Sequence, residues 1–241
     1  MLVNIITLFP NMFENVFSAS ILGRGLDRNL WSFKLYNLRD FGDGDRKNVD
    51  DDVYGGGVGR LIKPDVLDKS IHYILNEMKI ENFNDENELL YMSPRGVRID
   101  QCCVEHISKK KSITIICGRY EGIDSRIIGK YDIKEISIGD FVLTGGEIPA
   151  MALIDSVVRL IPGVIQNDEF SKEESFSNFL LEYEQFTKPL DFFGKKVPEV
   201  MVSGNHADIN NYRRLQSINT TRNRRPDLWA KFVANELVNG D

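Results

Sequence analysis

The chain has 241 residues, with 30 Lys and Arg against 36 Asp and Glu, a formal net charge of −6. Its apolar fraction of 42% and charged fraction of 27% are those of an ordinary globular protein, which excludes a collagen, a disordered tail and a disulfide scaffold. The acidic balance argues against a general nucleic-acid binder, since phosphate affinity comes from clustered Lys and Arg, but a total is silent about clustering.

Leu2–Phe9 is a β-rich run closed by Pro10 and reads as a strand. Asn11–Leu30 has a helical pattern with an expected break near Gly23 and Gly25, and Ser32–Leu38 alternates as a strand does. Residues 39–60 are polar and Gly-rich, a loop too long for a simple turn. A helix is predicted from Pro64, with Leu67, Ile71, Ile74, Leu75 and Met78 on one face. Glu88–Met92 and Ser112–Cys117 are short apolar runs flanked by helical patterns, as buried parallel strands are. Ile148–Ile161 is helical and apolar on nearly every side, so burial in a core or an interface is expected. Strands alternating with helices predict an α/β fold with a mostly parallel sheet.

Composition shifts after Gly163. Asp168–Glu184 holds six acids and one Lys, as an exposed linker does, and two helical stretches near 207–219 and 226–238 follow with no convincing strand. The predicted organisation is an α/β domain over 1–165, a linker over 166–178 and a small all-helical domain over 179–241.

The cysteines Cys102, Cys103 and Cys117 are odd in number and lack CxxC spacing, so neither zinc nor a disulfide framework is indicated. Reduced thiols fit a cytosolic protein. Met1–Pro10 has no basic lead and no small-residue cleavage site, and no segment approaches the ~20 apolar residues of a membrane span, so a cytoplasmic protein is expected. The histidines, His72, His106 and His206, have no metal-ligand spacing.

Three segments resemble one another in placement: Tyr91-Met92-Ser93-Pro94-Arg95-Gly96, Cys117-Gly118-Arg119-Tyr120-Glu121-Gly122-Ile123-Asp124, and Ser137 through Glu147 (SIGDFVLTGGE). In a parallel sheet such turns lie at the carboxyl ends of strands, where ligands bind, and their glycines let backbone approach a ligand. Together they favour a small-molecule site. Tyr54–Gly59 (YGGGVG) fails both the dinucleotide fingerprint and the P-loop, and reads either as a flexible loop or as a backbone contact to a ligand. Asp155 and Arg159 share a helix face, as a structural ion pair or as a functional one. Tyr212–Arg225 carries Arg213, Arg214, Arg222, Arg224 and Arg225 with no acid, which is either a phosphate-binding patch or a solvated face.

Across these motifs, together with TLFPNMF at the start, VDDDVYGGGVG in the long loop, DSVVR at 155–159 and SGNHADI at 203–209, the sequence resembles the bacterial tRNA (guanine-N1)-methyltransferases of the SPOUT superfamily. The resemblance spans nearly the whole chain. It implies a deep trefoil knot at the cofactor site, a homodimer with its active site at the subunit interface, and methyl transfer from S-adenosylmethionine to N1 of the guanosine at position 37, 3′ of the tRNA anticodon. The implied partners are tRNA and a second copy of the chain, without DNA or membrane. Carried over by position, the cofactor residues are Tyr91, Ser93, Pro94, Gly118, Tyr120, Ile138, Gly139, Asp140, Phe141, Val142, Leu143, Gly145 and Gly146. Arg159 matches an arginine that stabilises charge on the guanine O6, and Glu121 a carboxylate near the target base in a family that uses Mg²⁺. The general base of the family is an aspartate before Ser-Phe; here that slot, before Ser175-Phe176, is Glu174. The family loop also has proline where this chain has Val53 and Val58. A catalytically impaired RNA-binding dimer of the same fold is the competing expectation, motivated by the changed base.

Overall fold

In the computed structural model, which describes residues 1–165 and 174–239, a five-stranded sheet carries the first part of the chain. Its strands are β1 (Leu2–Thr7), β2 (Ser32–Asn37), β5 (Asn87–Arg98), β6 (Ser112–Cys117) and β7 (Lys134–Ser137), in the order β2-β1-β6-β5-β7. Every pairing in this sheet is parallel, with Leu2 opposite both Ser32 and Ser112, and Leu90 opposite Ile115. The fold is therefore α/β with a parallel central sheet.

Alternation along the strands separates two cores. Val3, Ile5, Leu90, Met92, Ile113 and Ile115 point to one face, and Ile6, Leu89, Tyr91 and Ile116 to the other. The first face is covered by α1 (Asn11–Phe17), α2 (Ser20–Asp27), α4 (Gln101–Ser108) and α6 (Glu147–Val158). The second is covered by α3 (Pro64–Met78) and α5 (Ser125–Tyr131). Pro64 opens α3, and Leu67, Ile71, Ile74 and Leu75 are buried along its inner face, as the spacing predicts.

Three expectations are corrected. The helical pattern over 11–30 breaks at Ser18 and Ala19, not at the glycines, which both lie inside α2. Gly23 is small for a packing reason: a Cβ there would meet the Ser18 carbonyl oxygen at 2.2 Å. The long loop contains an antiparallel hairpin, β3 (Asp50–Asp52) with β4 (Arg60–Ile62), in which Arg60 pairs with Asp50 and Asp52. Nothing but three consecutive aspartates and one arginine marks it in the sequence. The apolar helix ends at Val158 and not at Ile161, and its Ile148, Ala152 and Asp155 form an exposed stripe four and three residues apart, the face left for an interface.

The chain divides into two compact units, Met1–Gln166 and Asn167–Asp241. The second contains α7 (Glu199–Val202), α8 (His206–Arg224) and α9 (Pro226–Asn239), with Leu228, Phe232, Ser217 and Thr221 buried between the longer two. It also carries a two-residue strand pair, β8 (Asp191–Phe192) with β9 (Lys195–Lys196), so it is not purely helical. Much of the linker placed at 166–178, including Asp168, Glu169 and Glu173, lies outside the described residues. Among the described residues no helix is long and apolar enough to cross a membrane.

Candidate functional site

Three segments wall one cavity of about 220 Å³: a bulge inside β5 and the loops that follow β6 and β7. In the first segment the register between β5 and β7 shifts: Ile136 pairs with both Met92 and Val97, so Ser93–Gly96 bulges out of the ladder. The Ser93 hydroxyl accepts from the Arg95 backbone N–H at 3.2 Å and holds that bulge. In the third, Ser137 closes a tight turn by exchanging hydrogen bonds with the Gly139 backbone at 3.0 and 3.2 Å. Tyr91, Ser93, Pro94, Gly118, Tyr120, Ile138, Gly139, Phe141, Val142, Leu143, Gly145 and Gly146 all line the cavity, as the motif reading expects. Asp140 does not: its side chain is 91% exposed and lies 3.8 Å from Arg98. The lining mixes apolar side chains (Ile136, Ile138, Phe141, Val142, Leu143) with glycines (Gly118, Gly139, Gly145, Gly146) that bring backbone N–H and C=O groups close to a ligand. Burial holds the Tyr91 hydroxyl above the ordinary phenol range, with the charge of Glu135 adding to it.

Two charged residues that the motif reading did not single out fix this wall. Glu147, at the start of α6, is fully buried, and its carboxylate lies 2.8 Å from the Arg119 Nε. The Thr7 hydroxyl donates to the same carboxylate at 2.8 Å. Arg119 also donates to the Thr144 carbonyl at 3.1 Å and lies over the Phe9 ring, 4.4 Å from its centroid. One ion pair thereby ties the end of β1, the loop after β6 and the entry to α6. Beside it the Gly146 N–H donates to the Gly118 carbonyl at 2.8 Å. Both residues stand in quoted motifs, and the signal that finds them is an acid heading an otherwise apolar helix, since a buried carboxylate requires a partner.

The remaining candidates are distributed differently. Glu121 lines the cavity and is the one carboxylate that does, while Gly59 of the long loop packs against its side chain. Arg159 caps the end of α6, half-buried, with its backbone N–H on the Asp155 carbonyl at 3.2 Å, and is not among the lining residues. Glu174 belongs to the second unit, where it lines a separate cavity of about 180 Å³ with Tyr183, Arg213 and Arg214. Of the five arginines, Arg213 stacks over Tyr183 at 4.8 Å, Arg214 reaches Glu236 at 3.5 Å, and Arg225 clamps Asp227 through two hydrogen bonds of 2.8 and 2.6 Å. Arg222 and Arg224 stand exposed on α8. Burial pushes the Cys117 thiol well above its ordinary range, so it is no nucleophile. Among the described residues no three His, Cys, Asp or Glu side chains gather as a metal site.

A parallel sheet whose loops build a cavity of backbone and apolar side chains defines an α/β protein with a candidate small-molecule site. The chain belongs to the family described as tRNA (Guanine-1)-methyltransferase TrmD, whose model matches residues 1–231. It is 45% identical over 230 residues to the tRNA (guanine-N(1)-)-methyltransferase of Ruegeria pomeroyi, covering 95% of this chain and 93% of that protein. It is 43% identical over 233 residues to the enzyme of the same name from Alkaliphilus oremlandii, covering 97% and 94%. With the Pelagibacter ubique enzyme of that name the identity is again 43%, over 231 residues, covering 96% and 98%.

Proposed function

We propose that this chain transfers a methyl group from S-adenosylmethionine to N1 of guanosine 37 in tRNA, just 3′ of the anticodon. The observation that carries this reading is the three-loop cavity, lined by the motif residues of a family named for that reaction. When bound there, S-adenosylmethionine supplies an electrophilic methyl group. The chain must supply the rest. Guanine N1 carries a proton and is a poor nucleophile until a base removes it, and Glu174 takes that role. The charge then spreads to O6, where the fixed guanidinium of Arg159 stabilises it more in the transition state than in the ground state. Because N1 lies on the pairing edge, the base is flipped out of its stack toward Glu121. Glu121 is the one carboxylate lining the cavity among the described residues; a Mg²⁺, if bound, would be held by it alone among the lining carboxylates and would supply positive charge beside the base, and no step is assigned to it.

The domain roles follow the same reading: residues 1–165 hold the cofactor, 166–178 link, and 179–241 bind tRNA through the arginines of α8 and its end, of which Arg214, Arg222 and Arg224 are exposed. A deep trefoil knot around the three loops is supported by the Gly146–Gly118 backbone bond, which presses the entry to α6 onto the loop leaving β6. A homodimer is supported by the apolar side chains that line the cavity yet stay exposed, Phe141, Val142 and Leu143, and by the exposed Ile148 on α6, which a second protomer would cover. Primer extension on tRNA incubated with the enzyme and S-adenosylmethionine tests the assignment. A stop opposite guanosine 37 is expected, and read-through there with methyl incorporated elsewhere or nowhere overturns it.

A further inference from the structure

Residues 184–196 of the second unit form an unbroken exposed tract, and it is not polar. Leu190, Phe192 and Phe193 are 58%, 61% and 93% exposed. They sit on the β8–β9 hairpin, whose two-residue loop is Phe193-Gly194. Both loop residues have positive φ, +51° and +80°, as the tight turn between twisted strands requires. Asn, Asp or Gly ordinarily occupies the first of these positions, because a large side chain is strained there. An aromatic ring in that place gains only its contact with the Phe192 ring to offset the strain, being 93% in solvent. Strain without burial at an exposed aromatic is the mark of a contact made to something else.

The charges around it say what that partner is. Between Gln185 and Lys196 there are three lysines, Lys188, Lys195 and Lys196, and one acid, Asp191, whose carboxylate accepts from the Gly194 N–H at 2.8 Å inside the turn. The core of a protein–protein contact is depleted in lysine, whereas aromatic rings interleaved with cations are what holds unstacked nucleic acid. Phe192 meets Phe193 with centroids 4.7 Å apart and planes at 75°, and the Phe193 ring, 93% exposed, keeps room for a stacking partner.

We propose that the Asp191–Lys196 hairpin is an RNA contact, in which Phe193 stacks on an unpaired nucleobase of the tRNA and Lys195 and Lys196 lie against neighbouring phosphates. This rests on the tRNA reading and adds to it a contact outside the arginine helix. The test is the affinity of the full-length protein for unmodified tRNA, measured by fluorescence anisotropy at several salt concentrations. Phe193→Asn removes the ring while placing a residue suited to the left-handed turn, so the hairpin is kept. It should weaken tRNA binding about tenfold, the factor of roughly one base stack, and Phe193→Trp should restore it. Lys195→Gln with Lys196→Gln should lower the salt slope by about two. The melting temperature should not fall, since Asn relieves the strain of the turn, and the affinity for S-adenosylmethionine should stay that of the wild type. Unchanged tRNA affinity in Phe193→Asn, in a protein whose wild type methylates tRNA, refutes the hairpin contact alone. A fall in sedimenting mass in that variant refutes it too, by making the ring a contact between protomers. A wild type that neither binds nor methylates tRNA sinks the functional reading and the hairpin contact with it.

Discussion

The contact between the loop after β6 and the entry to α6, two walls of the cavity, can be tested at one atom. Gly146 has ordinary helical backbone angles, φ −81° and ψ −7°, so replacing it by Ala brings no conformational penalty. Its Cβ would, however, lie 2.7 Å from the Cys117 Cα and from the Gly118 nitrogen, where ordinary contact begins at 3.4 Å. These are backbone atoms and cannot rotate away, so the two loops must part by about 0.7 Å, the difference of those distances. The displacement falls on the 2.8 Å hydrogen bond from the Gly146 N–H to the Gly118 carbonyl and stretches it to the limit of useful geometry. Overpacking of this kind costs about 1–3 kcal/mol, and an unsatisfied buried backbone group about 1–3 more. Since 1.4 kcal/mol is a factor of ten, S-adenosylmethionine affinity by calorimetry should fall at least tenfold and the melting temperature by several degrees. Gly129→Ala is the matched control: it lies inside α5, its Cβ would meet nothing within 4 Å, and it should stabilise by about 0.5–1 kcal/mol. If Gly146→Ala bound the cofactor and melted as the wild type does, the crossing of these loops would not be what shapes the cavity.

Glu147→Gln leaves Arg119 without its buried counter-charge and should cost about 2–4 kcal/mol in urea unfolding, less than for a fully dry pair because Arg119 keeps 19% exposure. Adding Arg119→Met should recover part of that loss, and no recovery would show that the pair is not coupled. Glu174→Gln should lower the single-turnover methylation rate about a hundredfold or more with cofactor affinity unchanged, whereas Glu174→Asp should stay active; an unaltered rate in Glu174→Gln places the base elsewhere. Glu88 gives a pH test. Burial alone would raise its carboxyl, yet the hydrogen bonds and charges of Lys134 and Lys110 hold it below the ordinary 4.5. A depressed folded value means stability that is present above about pH 4.5 and lost as pH falls through the folded value. The melting temperature should therefore drop less steeply below pH 4.5 in Glu88→Gln than in the wild type, and parallel curves would remove Glu88 from acid sensitivity.

Most of the sheet and the cofactor loops were legible because both are written in local chemistry. Ser112–Cys117 is an apolar run flanked by helical patterns, and it is a wholly buried strand with the same bounds. The glycine-bearing turns within β5 and after β6 and β7 announce backbone approach, and twelve of the thirteen residues assigned to the cofactor do line the cavity. What was not legible depends on which segments meet. The β3–β4 hairpin has too few apolar residues for periodicity to register, and its strands are closed by Arg60 across three aspartates. The Thr7–Glu147–Arg119 link joins residues 140 and 28 positions apart, and no spacing rule reaches that far.

The charge distribution shows the same limit from the other side. Five arginines without an acid between Tyr212 and Arg225 read in the sequence as one positive patch. Folding brings Glu236 of α9 to Arg214, and the turn into α9 brings Asp227 to Arg225, where the pairing lowers the Asp227 carboxyl to about 2. An arginine already forked onto a carboxylate gains less from a phosphate than an exposed one does, because it must first give up that partner. Phosphate affinity on α8 should therefore weigh toward Arg222 and Arg224. Arg222→Gln should reduce both tRNA affinity and the salt slope, the slope by about one for each phosphate the side chain no longer neutralises, whereas Arg225→Gln should change the slope little and lower stability instead. Equal slopes for the two variants would show that the count of arginines, not their partners in the fold, sets the electrostatics of binding.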